Sequence, residues 1–191
     1  MIDLDLIAQQ LLTKTVNRPS SGNQRAYADA IEELGCELAQ QQWPSQYVPA
    51  RSVRSPEDFM IVNGDHSTYV DIKTRQIGTD FNMPNLISVD RLQKLLDDTN
   101  CDLVYWIIDY SVDQQGNAPI LTSHMVPVYH LNWQGLSIGN LGLGQLQITN
   151  WNNLVQPTQN RDEWTQRLRS VRRDFYTSQA QKFQRLAESL G

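Results

Sequence analysis

A chain of 191 residues with 40% hydrophobic and 19% charged residues suits one ordinary globular domain, whose core needs no disulfide or metal staple. Only two cysteines occur, Cys36 and Cys101, which excludes a disulfide scaffold and a four-cysteine zinc site and fits a reducing compartment. The formal net charge of -5 argues against coating nucleic acid by bulk positive charge, so any such contact has to come from local patches.

The opening Met1-Ile2-Asp3-Leu4-Asp5 has acids where a secretion signal has a basic segment. No apolar run approaches the ~20 residues needed to cross a bilayer, so a cytoplasmic protein with no membrane partner is expected. Apolar positions from Ile2 to Lys14 predict a short amphipathic helix, and Asn17 to Asn23 a turn-rich break. A second helix is predicted from Gln24 to Gln42, with Ile31, Leu34 and Leu38 inward, ending before Pro44. Three prolines between Trp43 and Pro56 read as loop. Two strands, Asp58 to Val62 and Ser67 to Arg75, flank Asn63-Gly64-Asp65-His66, a hairpin signal.

After a loop holding Phe81-Asn82-Met83-Pro84-Asn85, Ser88 caps a helix reaching Asp98. Leu103 to Tyr110 is nearly continuously apolar, as in a central strand buried on both faces. Ile120 to Leu131 and Leu143 to Thr149 are further strand candidates. The tail from Arg161 to Leu190 reads as one long helix or two broken near Asp174. The order implies an α/β fold, a mixed β-sheet with helices on both faces, in a single domain over residues 1–191.

The chemistry concentrates in Tyr69-Val70-Asp71-Ile72-Lys73-Thr74-Arg75. Asp71 and Lys73 leave the same face of a strand, ~7 Å apart along it. A hairpin loop centred between Gly64 and Asp65 sets Asp58 opposite Asp71, whereas a two-residue Asn63-Gly64 loop sets it opposite Tyr69. In both cases Asp58 shares the face of Asp71 and Lys73. Two carboxylates this close repel unless neutralised, and a hard divalent cation neutralises them. Mg²⁺ takes one or two carboxylates, waters and a substrate phosphate, to which the main-chain carbonyl of Ile72 could add a ligand. Lys73 would orient an attacking water or steady charge on a phosphoryl oxygen. The competing reading is a solvated Asp-Lys ion pair on an ordinary strand.

Asp58 followed after twelve residues by Asp71-Ile72-Lys73 resembles the PD-(D/E)xK nuclease superfamily, with Glu57 standing where that pattern has Pro. Val70 to Arg75, followed by Met83-Pro84-Asn85-Leu86-Ile87-Ser88, is similar to the core of the HincII/HindII-like type II restriction endonucleases. Arg18 to Gly22, Leu131-Asn132-Trp133 and Arg161-Asp162-Glu163-Trp164 resemble that family in the same order, although this chain is shorter. The resemblance implies a restriction-endonuclease-like fold and a homodimer. It implies Mg²⁺-dependent cleavage, with Mn²⁺ able to substitute, of both strands of a short palindromic double-stranded DNA site of the GTYRAC type.

By the same resemblance Asp58, Asp71 and Lys73 are catalytic, and Asp58, Asp71 and Ile72 hold the metal. Asn82, Met83, Asn85, Asn132 and Arg75 contact DNA, with Asn85 at the central base pairs and Asn132 near the outer ones. Asn82-Met83 stands where the family has Gln-Ala, residues that wedge into the base stack from the minor groove. A homing or repair nuclease of the superfamily, or a DNA-binding module that does not cut, stays open as an alternative.

Other signals are weaker. Glu32 and Glu33 lie on the second helix, as a metal-side acid or as a solvated face. His66, His124 and His130 lack zinc spacing. Gly139 to Gly144 lacks a phosphate loop's setting and reads as a turn. Seven Lys or Arg against three acids between Arg161 and Arg185 form a basic stretch, in which Arg167, Arg169, Arg172, Arg173, Lys182 and Arg185, with Tyr176 and Trp164 interleaved, could meet backbone phosphates.

Overall fold

A computed structural model describes residues 3–21, 23–52, 55–79, 84–157 and 160–190. The helices are α1 (Asp5–Leu11), α2 (Gln24–Gln42), α3 (Val89–Asp97) and α4 (Arg161–Ser189). The strands are β1 (Thr15–Val16), β2 (Tyr47–Pro49), β3 (Phe59–Asn63), β4 (His66–Gln76), β5 (Asn85–Ser88), β6 (Cys101–Tyr110), β7 (Ala118–Pro127), β8 (Leu136–Gly139) and β9 (Gln145–Ile148). They divide between two compact units, residues 1–81 with 99–128, and residues 82–98 with 129–191.

The first unit is a six-stranded mixed sheet in the order β1-β7-β6-β4-β3-β2, with β4 and β6 parallel and the other neighbours antiparallel. Ile7 and Leu11 of α1, with Ile31 and Leu38 of α2, join Phe59, Ile61, Val70, Ile72, Trp106 and Ile108 in one core. Asn23 caps α2 by accepting the Ala26 amide proton at 2.9 Å, and the helix stops at Gln42, ahead of Pro44. Gly35 lets α2 lie close to the sheet: a Cβ there would sit 2.9 Å from Ile72 Cδ1 and 3.0 Å from the Trp106 ring. The Trp106 indole meets its one polar need by donating to Ser123 Oγ at 2.8 Å. The close approach fixes which residues of α2 overlook the sheet edge at β3.

The hairpin has Phe59 opposite Val70 and Asn63 opposite His66, with Gly64 at φ +61° in its turn. That is the register centred between Gly64 and Asp65. The parallel partner then sets Tyr105 beside Asp71, Ile107 beside Lys73 and Asp109 beside Arg75. Positions 70, 72, 106 and 108 take the core face, leaving Asp71, Lys73, Arg75, Tyr105 and Asp109 on the other.

The second unit has the small antiparallel sheet β5-β9-β8 and helices α3 and α4. Ser88 caps α3 and Asn160 caps α4. Buried Trp164 stacks on Trp133, ring centroids 4.9 Å apart, and donates to Leu131 O at 2.6 Å. Arg161 caps the end of α3 by donating to the carbonyls of Leu96 at 3.2 Å and Asp98 at 2.9 Å. Arg172 pairs with Asp90, and Arg169 with Asp97 at 2.7 Å.

Several expectations need correction. The first helix is shorter than Ile2 to Lys14, because Leu12 and Thr13 already turn. The proline-rich stretch holds β2, an edge strand, where proline is tolerated. Asn85 begins strand β5 instead of closing a loop. The strand expected to reach Leu131 ends at Pro127 and gives way to a 3₁₀ turn. His66 is the first residue of β4 and meets Asp102 at 3.0 Å, outside the turn. The tail is one continuous helix.

Candidate active site

Asp58 precedes β3 and lies beside Asp71 in the hairpin. Its amide donates to Val70 O at 2.9 Å, and its Oδ2 accepts the Ile72 amide proton at 2.6 Å. A side chain thus takes a ladder position where the strand begins, so the carboxylate cannot swing off the sheet face. Lys73 Nζ donates to Asp71 Oδ1 at 2.5 Å and to Ile72 O at 3.3 Å. The two acids, the lysine and the Ile72 carbonyl, predicted from the sequence as one group, converge at this point of the sheet.

Asp71 is 6% exposed, and its Oδ2 has no hydrogen-bond partner among the described residues. Burial raises its pKa to about 7; the Lys73 ammonium opposes the rise and the Asp58 charge adds to it. A buried carboxylate with one unpartnered oxygen is poised to take a cation, which would replace the missing solvation. Among the described residues no group of three or more His, Cys, Asp or Glu gathers as a ready-made metal cage. The donors present, the Asp58 and Asp71 carboxylates and the Ile72 carbonyl, fit an ion that keeps waters and shares a substrate oxygen, as Mg²⁺ does.

Beside Asp58 opens a cleft of about 600 Å³ lined by Asp29, Glu32, Glu33, Cys36 and Glu57, among others. Glu32 is half-buried, and its pKa is raised by burial and then by Asp58, with Lys73 acting against the shift. Glu33 is exposed, so of the two helix acids Glu32 belongs electrostatically to the site. The signal was Gly35: a lone glycine inside a helix marks a close approach, and Glu32 lies one turn before it. Glu57 is buried with Oε2 unpartnered among the described residues, and burial raises its pKa. Cys36 is half-buried in the cleft wall; burial, then the Asp58 charge, pushes its thiol up to about 11, so it is no nucleophile at neutral pH.

The residues expected at DNA are scattered in role. Arg75 is clamped by Asp109, Nε to Oδ1 at 2.7 Å and Nη2 to Oδ2 at 2.6 Å. Asn85 is exposed and accepts from Gln147 Nε2 at 2.7 Å, a partner that sequence reasoning missed because it lies 62 residues away. Asn132 caps a 3₁₀ turn, its Oδ1 accepting the Gln134 amide proton at 3.0 Å. Asn82 and Met83 lie outside the described residues. Along α4, Arg169 and Arg172 are bound to acids, Trp164 is buried, and the Tyr176 hydroxyl donates to Leu143 O at 2.9 Å. Of the basic residues expected to meet backbone phosphates, Arg169 and Arg172 thus have acidic partners within the protein.

No helix among the described residues is long and apolar enough to cross a membrane. No curated protein matches the chain. Among solved structures, the NlaIV restriction endonuclease is similar at TM-score 0.51 and 11% identity, over 90% of this chain and 86% of that one, a likeness of fold. The family described as Restriction endonuclease HincII matches residues 35–189, leaving the Arg18 to Gly22 segment outside the match. Because that span covers most of the chain, holds Asp58, Asp71 and Lys73, and runs on through nearly all of α4, the chain belongs to the HincII family of type II restriction endonucleases.

Proposed function

We propose that this endonuclease acts as one domain over residues 1–191, as a homodimer, and cuts both strands of a short palindromic DNA site of the GTYRAC type in a Mg²⁺-dependent reaction, with Mn²⁺ able to substitute. One observation carries the reading: Asp58, Asp71 and Lys73 share a sheet face, with Lys73 Nζ 2.5 Å from Asp71 Oδ1 and Asp58 anchored on the Ile72 amide at 2.6 Å. Asp58, Asp71 and the Ile72 carbonyl would hold the ion, with Glu32 facing it across the cleft. When bound, Mg²⁺ supplies a Lewis acid that draws charge from a phosphoryl oxygen.

The protein's own groups do the rest. Asp71, as a buried carboxylate, would hold the ion, and its buried setting keeps negative charge concentrated there. Lys73, held at a fixed distance from that carboxylate, orients the attacking water and steadies charge as it builds on the phosphate. The water oxygen forms a bond to phosphorus, one P–O ester bond breaks, the water's proton leaves to solvent, and the departing sugar oxygen takes one up. A palindromic substrate asks for a two-fold protein. Asn85, with its amide oriented by Gln147, together with Asn132, Arg75, Asn82 and Met83, would face the DNA.

Plasmid DNA incubated with purified protein and Mg²⁺, followed by sequencing of the ends, tests the proposal. Repeated termini at one palindrome are expected. Ends at long or structure-dependent sites would point to a homing or repair enzyme, and specific binding without breaks, even with Mn²⁺, to a module that does not cut.

A further inference from the structure

In the second unit, bare apolar side chains gather at the end of α4 and at the tip of the hairpin between β8 and β9. Every residue from Gln181 to Leu190 is exposed, so this part of the helix buries no face against the rest of the chain. A helical stretch this short is marginal in water by itself. Its apolar positions are nevertheless ordered. Tyr176, Gln179, Phe183, Leu186 and Leu190 follow the alternating three- and four-residue spacing of a coiled-coil seam. The hairpin tip is clamped beside that seam, with the Tyr176 hydroxyl donating to Leu143 O at 2.9 Å and Gln179 Nε2 to Asn140 Oδ1 at 2.8 Å. Leu141 and Leu143 at the tip, with Phe183, Leu186 and Leu190, are 55% to 82% exposed. Five such side chains amount to several hundred Å², the size at which a bare patch marks an interface, and two such patches come near the ~1,200 Å² at which specific interfaces begin.

We infer that two copies of the chain meet on this surface, the ends of α4 pairing antiparallel about a two-fold axis. With Phe183 level with Leu186 of the second copy, Gln179 lies level with Leu190 of the second copy, which thereby reaches the Leu141 and Leu143 tip. Charge selects this direction. Lys182 then stands within one residue of the level of Glu188 of the second copy, whereas parallel helices would set Lys182 beside Lys182 and Arg185 beside Arg185. One self-complementary patch serves both copies. The inference rests on the homodimer proposed above and gives it a surface.

Sedimentation velocity of the full-length protein over a dilution series tests it. Phe183→Asp and Leu186→Asp alter exposed side chains, so near-ultraviolet circular dichroism of the Trp133 and Trp164 stack is expected to persist while each variant dimerises about 100-fold more weakly. Lys182→Glu alone is expected to weaken the dimer about five-fold, and Lys182→Glu combined with Glu188→Lys to restore it. A dimeric wild type whose Asp variants dimerise as tightly overturns the inference and leaves a homodimer held elsewhere. A wild type that stays monomeric at every concentration sinks both. Asp variants that stay dimeric but no longer retard a DNA duplex in a gel overturn it in favour of DNA on the same patch.

Discussion

The two units differ in which buried polar atoms they leave without partners among the described residues. In the unit built on the six-stranded sheet, the partnerless buried atoms among the described residues are two carboxylate oxygens, of Glu57 and Asp71, and the phenol of Tyr105; Glu57 adjoins Asp58 in sequence, and Tyr105 is the register partner of Asp71. In the unit holding α3 and α4, the corresponding atoms are neutral, an amide oxygen of Gln93 and the indole nitrogen of Trp133. Its arginines Arg161, Arg169 and Arg172 are spent on α3, on carbonyls or on acids. Unsatisfied charge is expensive to bury and persists where a substrate or ion completes it; charge already paired holds elements together. The comparison supports the proposal that the chemistry lies in the first unit, while Arg161, Arg169 and Arg172 hold α4 to α3 in the second.

The sharpest way to break that assignment is substitution in the first unit. Lys73→Ala and Asp58→Ala are expected to lower single-turnover cleavage on the order of 10³-fold, with circular dichroism unchanged. A loss under ten-fold would place the chemistry elsewhere. Next in size is pH. With Asp71 raised to about 7, cation binding must displace a proton, so Mg²⁺ affinity falls about ten-fold per pH unit below 7 and levels off above it. The folded metal-free protein holds that proton more tightly than the unfolded chain, so stability is lost as pH rises from about 4 to about 7. Asp71→Asn should therefore raise Tm in metal-free buffer at pH 8 and leave it unchanged at pH 3.

Gly35→Ala forces a methyl group against Ile72 and Trp106 and is expected to cost about 1–3 kcal/mol in urea denaturation. Cleavage should fall as well, because Glu32 moves with α2. Gly139→Ala sharpens the comparison from the other side. Its Cβ would lie 2.1 Å from Gln147 Oε1, so Gln147 must swing away from Asn85. About a ten-fold loss of discrimination among sites is expected in end sequencing, with Tm nearly unchanged. Smallest of all, Arg169→Ala removes an exposed ion pair and should shift stability by roughly 0.2–1 kcal/mol without touching the rate.

The shared face of Asp58, Asp71 and Lys73 was legible because strand parity and hairpin register are local properties. Asp58, Asp71 and Lys73 could be set on one side from the turn at Gly64 alone, and α2 could be bounded from Asn23 and Pro44. What could not be read depends on distant partners. The parallel pairing that brings Tyr105 to Asp71 joins strands separated by a helix, and no residue pattern fixes its register. The arginines of α4 read as a phosphate row because their acids, Asp90 and Asp97, belong to another helix. Strands β2, β5 and β8 have three or four residues each, too short for alternation to stand out, and proline or turn residues mask them.

Cleavage of a plasmid bearing the mapped site by wild type and Asp71→Asn, with Mg²⁺ and with chelator, tests the central claim most directly. Breaks are expected from the wild type with Mg²⁺ only, while the folded variant leaves the DNA intact. Cutting by Asp71→Asn at the wild-type rate, or by wild type in chelator, would contradict the account.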